Sequence, residues 1–226
     1  EYHVVYHAIH GFCTIDMSAL YLDIIKDRLY TMPAASIERR AAQTVLYEVL
    51  SVLVRLLTPV LAFTSEEIWR HMPGDKSGVV SVQLAEMPEV VEKYLDEELD
   101  QKWERLLAVR SEVTKALEAA RRDKVIGNSL EAAVELFAGR ELYNFLEPVA
   151  GELATIFIVS GVSLARLGNE PESAGRIDSV PELAISVRPA GGNKCERCWM
   201  YHEGVGADME HPSLCPRCAK VIMGLI

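Results

Sequence analysis

The sequence lacks the features that define membrane and secreted proteins. Its 226 residues contain no uninterrupted run of about 18 apolar residues, so no membrane-spanning helix is predicted. The first residues show no basic segment followed by an apolar stretch and a small-residue cleavage site, so no secretory signal is predicted either. Only five cysteines occur, and four of them are clustered, which is unlike a disulfide framework. We therefore expect a cytoplasmic protein that makes no membrane contact.

The common catalytic signatures are missing as well. The sequence contains no Gly-rich phosphate loop, no Gly-x-Ser-x-Gly elbow and no His-Glu-x-x-His metal helix. His3, His7 and His10 share one predicted helix, but they lack neighbouring carboxylates, and we interpret them as solvated. A formal net charge of −10 also argues against indiscriminate attraction to nucleic acid. The sequence therefore predicts no catalytic group.

The charge is distributed unevenly along the chain. Between positions 86 and 100 there are seven acidic residues and one lysine, whereas between 102 and 124 seven basic residues accompany four acidic ones. A basic face on an acidic protein is therefore possible. Near the N-terminus, Lys26 and Arg28 lie close to Asp23 and Asp27, and we interpret this group as ion pairs at i,i+4 spacing.

Apolar periodicity predicts a mainly α fold with several parts. We expect a helical-bundle domain over 1–87, a helical connector and small mixed α/β unit over 88–167, a linker and strand over 168–190, and a zinc module over 191–226. The bundle should contain helices over 17–30 and 36–57, an extended stretch over 12–15 that ends at the helix cap Asp16, and a strand over 79–84. In the α/β unit, alternation over 131–137 and 183–187 predicts strands.

The zinc module takes its name from two Cys-x-x-Cys pairs separated by sixteen residues. This spacing is typical of closed four-thiolate zinc sites, which hold structure and do not catalyse. Two redox dithiols or plain core cysteines are the alternative, although neither pair has a βαβ context. His202 or His211 could also replace a thiolate as ligand. The predicted ligands of one structural zinc ion are Cys195, Cys198, Cys215 and Cys218.

Basic and aromatic side chains surround the two pairs. Lys194, Arg197 and Arg217 are interleaved with Trp199 and Tyr201. This combination suits an unpaired nucleic-acid loop, because a base can stack on a ring while the cations contact phosphates. The alternative is that Trp199 and Tyr201 form the small core of the zinc module.

Several separated stretches resemble one family. FCTIDMSALYLD at 12–23, KDRLY at 26–30, RRAAQTVL at 39–46 and FTSEEIW at 63–69 are similar to the helical anticodon-binding domain of class I aminoacyl-tRNA synthetases. KVIGNSLEA at 124–132, together with the cysteine pairs, resembles the C-terminal part of bacterial-type isoleucyl-tRNA synthetase. Valyl enzymes share the helical domain but end in a coiled coil, so the zinc module distinguishes a resemblance to isoleucyl enzymes from one to valyl enzymes.

The resemblance implies a role in joining isoleucine to tRNA(Ile), with ATP converted to AMP and diphosphate. ATP and magnesium belong to the family's nucleotide-binding domain, whose HIGH and KMSKS signatures are absent here, as is the editing domain. We therefore expect this chain to bind the anticodon stem and loop without aminoacylating on its own. Since nothing resembles a dimerisation heptad, we expect a monomer.

The resemblance also implies particular RNA contacts. Arg39 and Arg40 lie on the helix that faces the anticodon stem in the family, and Lys194, Arg197 and Trp199 are the expected contacts of the anticodon loop. A second group of residues is expected to bind phosphates: Arg121, Arg122 and Lys124. An alternative applies to both helical groups, namely Arg39 with Arg40 and Arg121 with Arg122 and Lys124. Each group could be a solvated helix surface with local ion pairs.

Two other functions remain open at this point. A zinc-ribbon adaptor that binds another protein would suit the acidic total charge. Similar four-cysteine fingers also end DNA-repair glycosylases, but those enzymes need an N-terminal catalytic segment unlike residues 1–87.

Overall fold

The computed structural model describes residues 1–74, 78–168, 170–171, 174–176, 179–180 and 182–225. Parts of the predicted linker, namely 169, 172–173, 177–178 and 181, lie outside the described residues. The chain divides into a first unit, residues 1–17 and 34–96, and a second unit, residues 18–33 and 97–226. Residues 18–33, predicted as part of the helical bundle, thus group with the second unit.

The elements follow one another in the order helices, then mixed sheet, then a small ribbon and helix. The helices are α1 (Tyr2–Gly11), α2 (Leu22–Ile24), α3 (Lys26–Thr31), α4 (Ile37–Leu57), α5 (Ala62–His71), α6 (Glu97–Arg122), α7 (Arg140–Leu146), α8 (Leu153–Phe157) and α9 (Pro216–Ile222). The strands are β1 (Ala132–Ala138), β2 (Gly161–Arg166), β3 (Gly175–Arg176), β4 (Leu183–Pro189), β5 (Asn193–Lys194) and β6 (Tyr201–His202). In the part of the chain described, no helix is long and apolar enough to cross a membrane.

The first unit is helical, as predicted. Helix α4 begins after Ser36, whose hydroxyl accepts a hydrogen bond from the Arg39 amide at 3.2 Å, so the predicted helix over 36–57 is confirmed. Its buried Val54 packs with Trp69, Met72 and Val82. These residues form a small core where α4 meets α5.

Two local predictions in this region are wrong. The predicted extended stretch over 12–15 belongs to a π-helix, Phe12–Tyr21, in which the Thr14 hydroxyl donates to the His10 carbonyl at 2.8 Å. Asp16 therefore lies inside a helix and does not cap one. The β-branched residues at 14 and 15 favour extension, but the helical pattern of the flanking residues prevails.

The predicted strand over 79–84 is instead a loop followed by a 3₁₀ helix, Val82–Leu84. The Glu66 carboxylate accepts hydrogen bonds from the Ser81 hydroxyl at 2.7 Å and the Val82 amide at 3.2 Å. That amide is therefore bonded to a side chain of α5 and is not available to a neighbouring strand.

The second unit contains the mixed sheet, with strand order β2-β1-β4-β3. Strand β1 pairs in parallel with β2 and antiparallel with β4, which confirms the predicted mixed α/β unit and both predicted strands. Because β1 is buried on both faces, its sequence is nearly all apolar. The connection from β1 to β2 runs through α7 and α8.

Helix α6 covers this sheet with one apolar stripe. Leu106, Val109, Val113 and Leu117, spaced three or four residues apart, are buried in the same core as β1 and β4. The Arg110 guanidinium donates from Nε to the Ile156 carbonyl at 3.0 Å, which fixes α8 beside α6. This scaffold holds the end of α8, next to which the zinc module lies.

Candidate metal centre and nucleic-acid interface

The four cysteines predicted as metal ligands converge at one point. The sulfur atoms of Cys195, Cys198, Cys215 and Cys218 all lie within 4.8 Å of one another. The Sγ atoms of Cys198 and Cys215 are 3.8 Å apart. A tetrahedron with zinc–sulfur bonds of about 2.3 Å has edges of about 3.8 Å, so the donor set and its size fit zinc.

Backbone hydrogen bonds shape the two cysteine turns. The Cys195 amide donates to the Met200 carbonyl at 2.9 Å, and the Trp199 amide donates to the Cys195 carbonyl at 2.8 Å. Cys215 immediately precedes α9, and Pro216 occupies the first position of that helix. Each Cys-x-x-Cys pair is thereby presented by a tight local turn.

Burial and hydrogen bonding within the four-cysteine cluster favour one thiolate over the others. Burial raises the pKa of Cys195, but amide donors from Cys198, Cys215 and Arg197 outweigh this effect and lower it to about 6. Burial, together with neighbouring sulfurs, raises the pKa of Cys198 and Cys215. Zinc binding must therefore release protons from these two thiols.

The alternative histidine ligands lie elsewhere. The Nδ1 atom of His202 accepts a hydrogen bond from the Gly204 amide at 2.8 Å. Among the described residues, the group able to hold a metal consists of the four cysteines alone, without His202 or His211. Four thiolates complete a tetrahedral site and leave no position for a substrate, so the centre is structural.

The zinc module is fastened to α3 by an ion pair. Arg217 contacts both carboxylate oxygens of Asp27, with Nη2 2.7 Å from Oδ1, and Nη2 also donates to the Thr31 hydroxyl at 3.2 Å. Burial alone would raise the pKa of Asp27, but hydrogen bonds from Arg217 and Thr31 lower it overall. The pair is half-buried and bidentate, the geometry in which arginine binds carboxylate most strongly.

A second arginine connects the same helix to the metal site. Arg197 donates from Nη1 to the Thr31 carbonyl at 2.6 Å and lies 3.7 Å from the Cys218 sulfur. We call Asp27, Thr31, Arg197 and Arg217 the α3 clamp. Because the clamp includes a contact with a ligand sulfur, metal coordination and attachment to α3 are physically coupled.

A third tether joins the module to the sheet region. The Ser160 hydroxyl accepts from the Tyr201 amide at 2.7 Å and donates to the Leu130 carbonyl. Sequence reasoning did not identify Asp27, Thr31 or Ser160 as part of the site. No local signal could have done so, since Asp27 and Arg217 are 190 residues apart.

Trp199 and Lys194 face solvent. Trp199 is 60 % exposed, so it is not the core of the zinc module, and the Lys194 ammonium lies 5.5 Å from its ring centroid. The module's core consists instead of the cysteines with Leu214 and Ala219. Arg197 and Arg217, by contrast, are half-buried and turned towards α3. Their contact with RNA stays a prediction.

The other predicted RNA contacts are distributed over both units. Arg121, Arg122 and Lys124 are all exposed after or at the end of α6, and Arg121 donates to the Ser129 hydroxyl at 3.1 Å. Arg121 and Lys124 line a cavity of about 440 Å³. In the first unit, Arg39 is half-buried and Arg40 is exposed on α4. These RNA contacts also remain predictions.

Comparison with known families defines the class of the chain. Residues 1–136 match the family described as the anticodon-binding domain of tRNA ligase, and residues 192–221 match the zinc finger found in FPG and IleRS. Since the first match covers more than half of the sequence, the chain belongs to the anticodon-binding domain family of tRNA ligases. The resemblance noted from the sequence is thereby confirmed.

Individual relatives of the chain are isoleucine–tRNA ligases. The chain is 57 % identical over 223 residues to isoleucine–tRNA ligase of Moorella thermoacetica and 57 % identical over 222 residues to that of Desulforamulus reducens. It is 52 % identical over 224 residues to isoleucine–tRNA ligase of Geobacter sulfurreducens. Each alignment covers 98 % of this chain and 24 % of the relative. The chain thus spans about a quarter of the length of these ligases.

Proposed function

We propose that this chain is the tRNA-recognition portion of an isoleucine–tRNA ligase and that it binds the anticodon stem and loop of tRNA(Ile). The observation that carries this proposal is the exposure of Trp199 and Lys194 on a zinc finger held against α3, a helix within the matched residues 1–136. On this proposal the full-length ligase attaches isoleucine to tRNA(Ile) and converts ATP to AMP and diphosphate. The present chain contributes binding and no catalytic residue.

Each group of residues has a distinct part in the proposed binding. Trp199 offers a ring on which an unpaired base can stack, and the Lys194 ammonium beside it can pair with a phosphate. Arg197 and Arg217 act mainly as positioning residues, because they hold the zinc module against α3. Phosphates further along the RNA are bound by the half-buried Arg39 and by four exposed residues: Arg40, Arg121, Arg122 and Lys124.

Truncating the exposed tryptophan is expected to weaken RNA binding. Trp199→Ala should lower the affinity for a tRNA(Ile) anticodon stem-loop by about 1–3 kcal/mol, or roughly 5- to 150-fold, because the stacked base loses its platform. Trp199→Phe keeps an aromatic ring and should recover most of the affinity. Fluorescence anisotropy with a labelled stem-loop measures both. Unchanged affinity in a zinc-loaded Trp199→Ala protein would remove Trp199 from the interface.

The phosphate contacts predict a change in salt dependence. Lys124→Gln should weaken binding and reduce the slope of log affinity against log salt by about 1, since one fewer counterion is released. Lys102→Gln, a lysine near the opposite end of α6, is the matched control and should leave the slope unchanged. Titrations at several salt concentrations measure the slopes. Equal slopes for wild type and Lys124→Gln would show that Lys124 does not contact phosphate.

The salt titration also tests the proposed function against a protein-binding adaptor, which the net charge of −10 would favour. Binding of tRNA through phosphates must weaken steeply as salt rises, whereas an apolar protein interface need not. Absence of tRNA binding at low salt, with the zinc module folded, would favour the adaptor.

A further inference from the structure

A cavity lies at the end of α6, within the second unit. Its volume is about 440 Å³, which falls in the range of about 300–1,000 Å³ typical of ligand sites. We call it the α6-end cavity. The residues that line it come from the last turn of α6 and from the turn that follows: Arg121, Lys124, Val125, Ile126, Gly127 and Glu131. Since the lining includes two cations and one carboxylate, the pairing of these charges decides which ligand the cavity fits.

Two positive charges of the α6-end cavity are available to a ligand. Other basic side chains of α6 pair with carboxylates, namely Lys102, Arg105, Lys115 and Arg122. Among the residues that the structure describes, neither Arg121 nor Lys124 forms an ion pair, and Arg121 donates to the neutral Ser129 hydroxyl at 3.1 Å. An anion in the cavity would therefore meet two uncompensated cations.

The carboxylate in the lining does not oppose such an anion, because each of its oxygens has a donor within the turn. Glu131 accepts from the Gly127 amide at 2.7 Å through Oε2 and from the Asn128 side-chain amide at 2.6 Å through Oε1. The Glu131 carbonyl also accepts from the Ala190 amide at 2.7 Å, which ties the turn to the end of β4. Glu131 thus fixes the shape of the turn that follows Lys124.

Lys124 occupies a backbone position that favours glycine. Its φ is +60°. The Lys124 amide donates to the Arg121 carbonyl at 3.1 Å, and the Val125 amide donates to the Ala120 carbonyl at 2.9 Å. This is the Schellman pattern, in which the first residue beyond the helix is left-handed and usually glycine. A lysine there costs stability, and strain of this kind clusters at binding sites.

A structural role for the cations is the alternative, since positive charge stabilises the C-terminus of a helix. That gain is smaller than the cost of a left-handed residue other than glycine. The carbonyls of Ala120 and Arg121 are also already bonded within the Schellman pattern. Stabilisation of α6 therefore does not account for a lysine at position 124.

From these observations we propose that the α6-end cavity binds one phosphate group of the RNA backbone, held jointly by Arg121 and Lys124, with Glu131 as a positioning residue. This inference rests on the proposed function, since the phosphate belongs to the anticodon stem-loop. It goes further in placing both cations on the same phosphate and in leaving Arg122, which pairs with Asp123, outside the site. It also gives Glu131 a role that sequence reasoning did not assign.

The first test neutralises single phosphates of the RNA. A series of anticodon stem-loops, each with one uncharged methylphosphonate, is bound to wild type, Arg121→Gln and Lys124→Gln. At one position the methylphosphonate should weaken binding by wild type roughly fivefold, since a charge-assisted contact at an exposed site is partly screened. Against that loop both variants should bind within about twofold of wild type, because the shared phosphate has lost its charge. Arg122→Gln is the matched control, and its affinity relative to wild type should be the same for the modified and unmodified loops.

The second test uses the sign of the charge change at Glu131. Glu131→Ala removes a negative charge beside the RNA, so charge alone would strengthen binding. We expect binding to weaken roughly threefold instead, because the turn loses two hydrogen bonds. Glu131→Gln keeps one acceptor oxygen and should recover part of the affinity. Against the loop that carries the critical methylphosphonate, Glu131→Ala should match wild type, which a general loss of folding would not produce.

The third test separates binding from stability at Lys124. Lys124→Gly removes the ammonium group but suits the left-handed backbone, so it should raise the midpoint of urea unfolding while it weakens RNA binding roughly fivefold. A lysine that served only the end of α6 predicts the reverse, namely a lower midpoint with unchanged affinity.

The possible results separate the two proposals. If wild type binds the stem-loop but no single methylphosphonate removes the deficits of both Arg121→Gln and Lys124→Gln, the two cations share no phosphate and the cavity proposal is overturned, while the proposed function stands. If Glu131→Ala strengthens binding, Glu131 is not a positioning residue and that part of the proposal is overturned. If zinc-loaded wild type fails to bind the stem-loop, both the cavity proposal and the proposed function fail.

Discussion

Removing zinc is expected to unfold the zinc module while the mixed sheet of the second unit stays folded. Apart from the cysteines themselves, the buried residues in the described part of the module are only Leu214 and Ala219, which is too little apolar surface to hold a fold. Apparent zinc-binding free energies of about 10–16 kcal/mol are typical of such fingers, so the metal supplies most of the stability. The sheet has its own core with β1 at the centre.

Limited proteolysis and amide exchange measure this effect. Chelated protein should be cleaved within 193–225 and should lose amide protection there, whereas β1 and α6 should keep theirs. Cys215→Ser should behave like the chelated protein, and Cys13→Ser, which alters a half-buried cysteine in the first unit, should behave like wild type. A zinc-free protein with a protease-resistant module would show that its core is sufficient without metal.

Breaking the α3 clamp should have the next largest effect. Asp27→Ala leaves the Arg217 guanidinium half-buried without its carboxylate, and removal of one partner from a buried pair costs about 3–5 kcal/mol. Since part of each side chain is exposed, we expect Asp27→Ala to weaken the attachment of the zinc module to α3 by a smaller amount, about 2–4 kcal/mol. RNA binding should weaken as well, because Trp199 loses its fixed position.

The pH dependence of the clamp follows from the lowered pKa of Asp27. In the unfolded chain Asp27 titrates near pH 3.9, and in the folded protein it titrates lower because Arg217 and Thr31 stabilise the carboxylate. The stabilisation is therefore present above pH 3.9 and is lost as the pH falls through the lower, folded value. Asp27→Ala should lack this acid-dependent component of stability.

Urea unfolding and amide exchange of α3 and α9 quantify the clamp. Asp23→Ala is the matched control, since Asp23 forms an exposed pair with Lys26 whose loss should cost about 0–1 kcal/mol. If Arg217→Ala combined with Asp27→Ala costs no more than Asp27→Ala alone, the two residues act as one unit. A cost for Asp27→Ala no greater than that for Asp23→Ala would contradict the clamp.

The features that were predictable from the sequence are those encoded locally. Two Cys-x-x-Cys pairs define their own turns, so their spacing alone indicated the metal centre. Helix α4 has a serine cap and a broad apolar face, and β1 and β4 are short, mostly apolar segments. Each of these signals is contained within a few residues, where side-chain periodicity determines the element.

The features that were not predictable depend on partners far apart in sequence. Asp27 was interpreted as part of a local ion-pair group, and Lys26 does pair with Asp23, but Asp27 pairs with Arg217. The sequence around Asp27 is the same whichever arginine it binds. Tyr30 and Trp199, which are far apart in sequence, likewise line one cavity only in the folded protein.

Discrimination between anticodons is the most direct test of the central proposal. Zinc-loaded and chelated protein would each be titrated with the tRNA(Ile) anticodon stem-loop and with a stem-loop whose anticodon is changed, at low and at moderate salt. We predict tighter binding of the isoleucine anticodon by the zinc-loaded protein and loss of that preference after chelation. Equal binding of the two stem-loops by zinc-loaded, folded protein would contradict anticodon recognition through the zinc module.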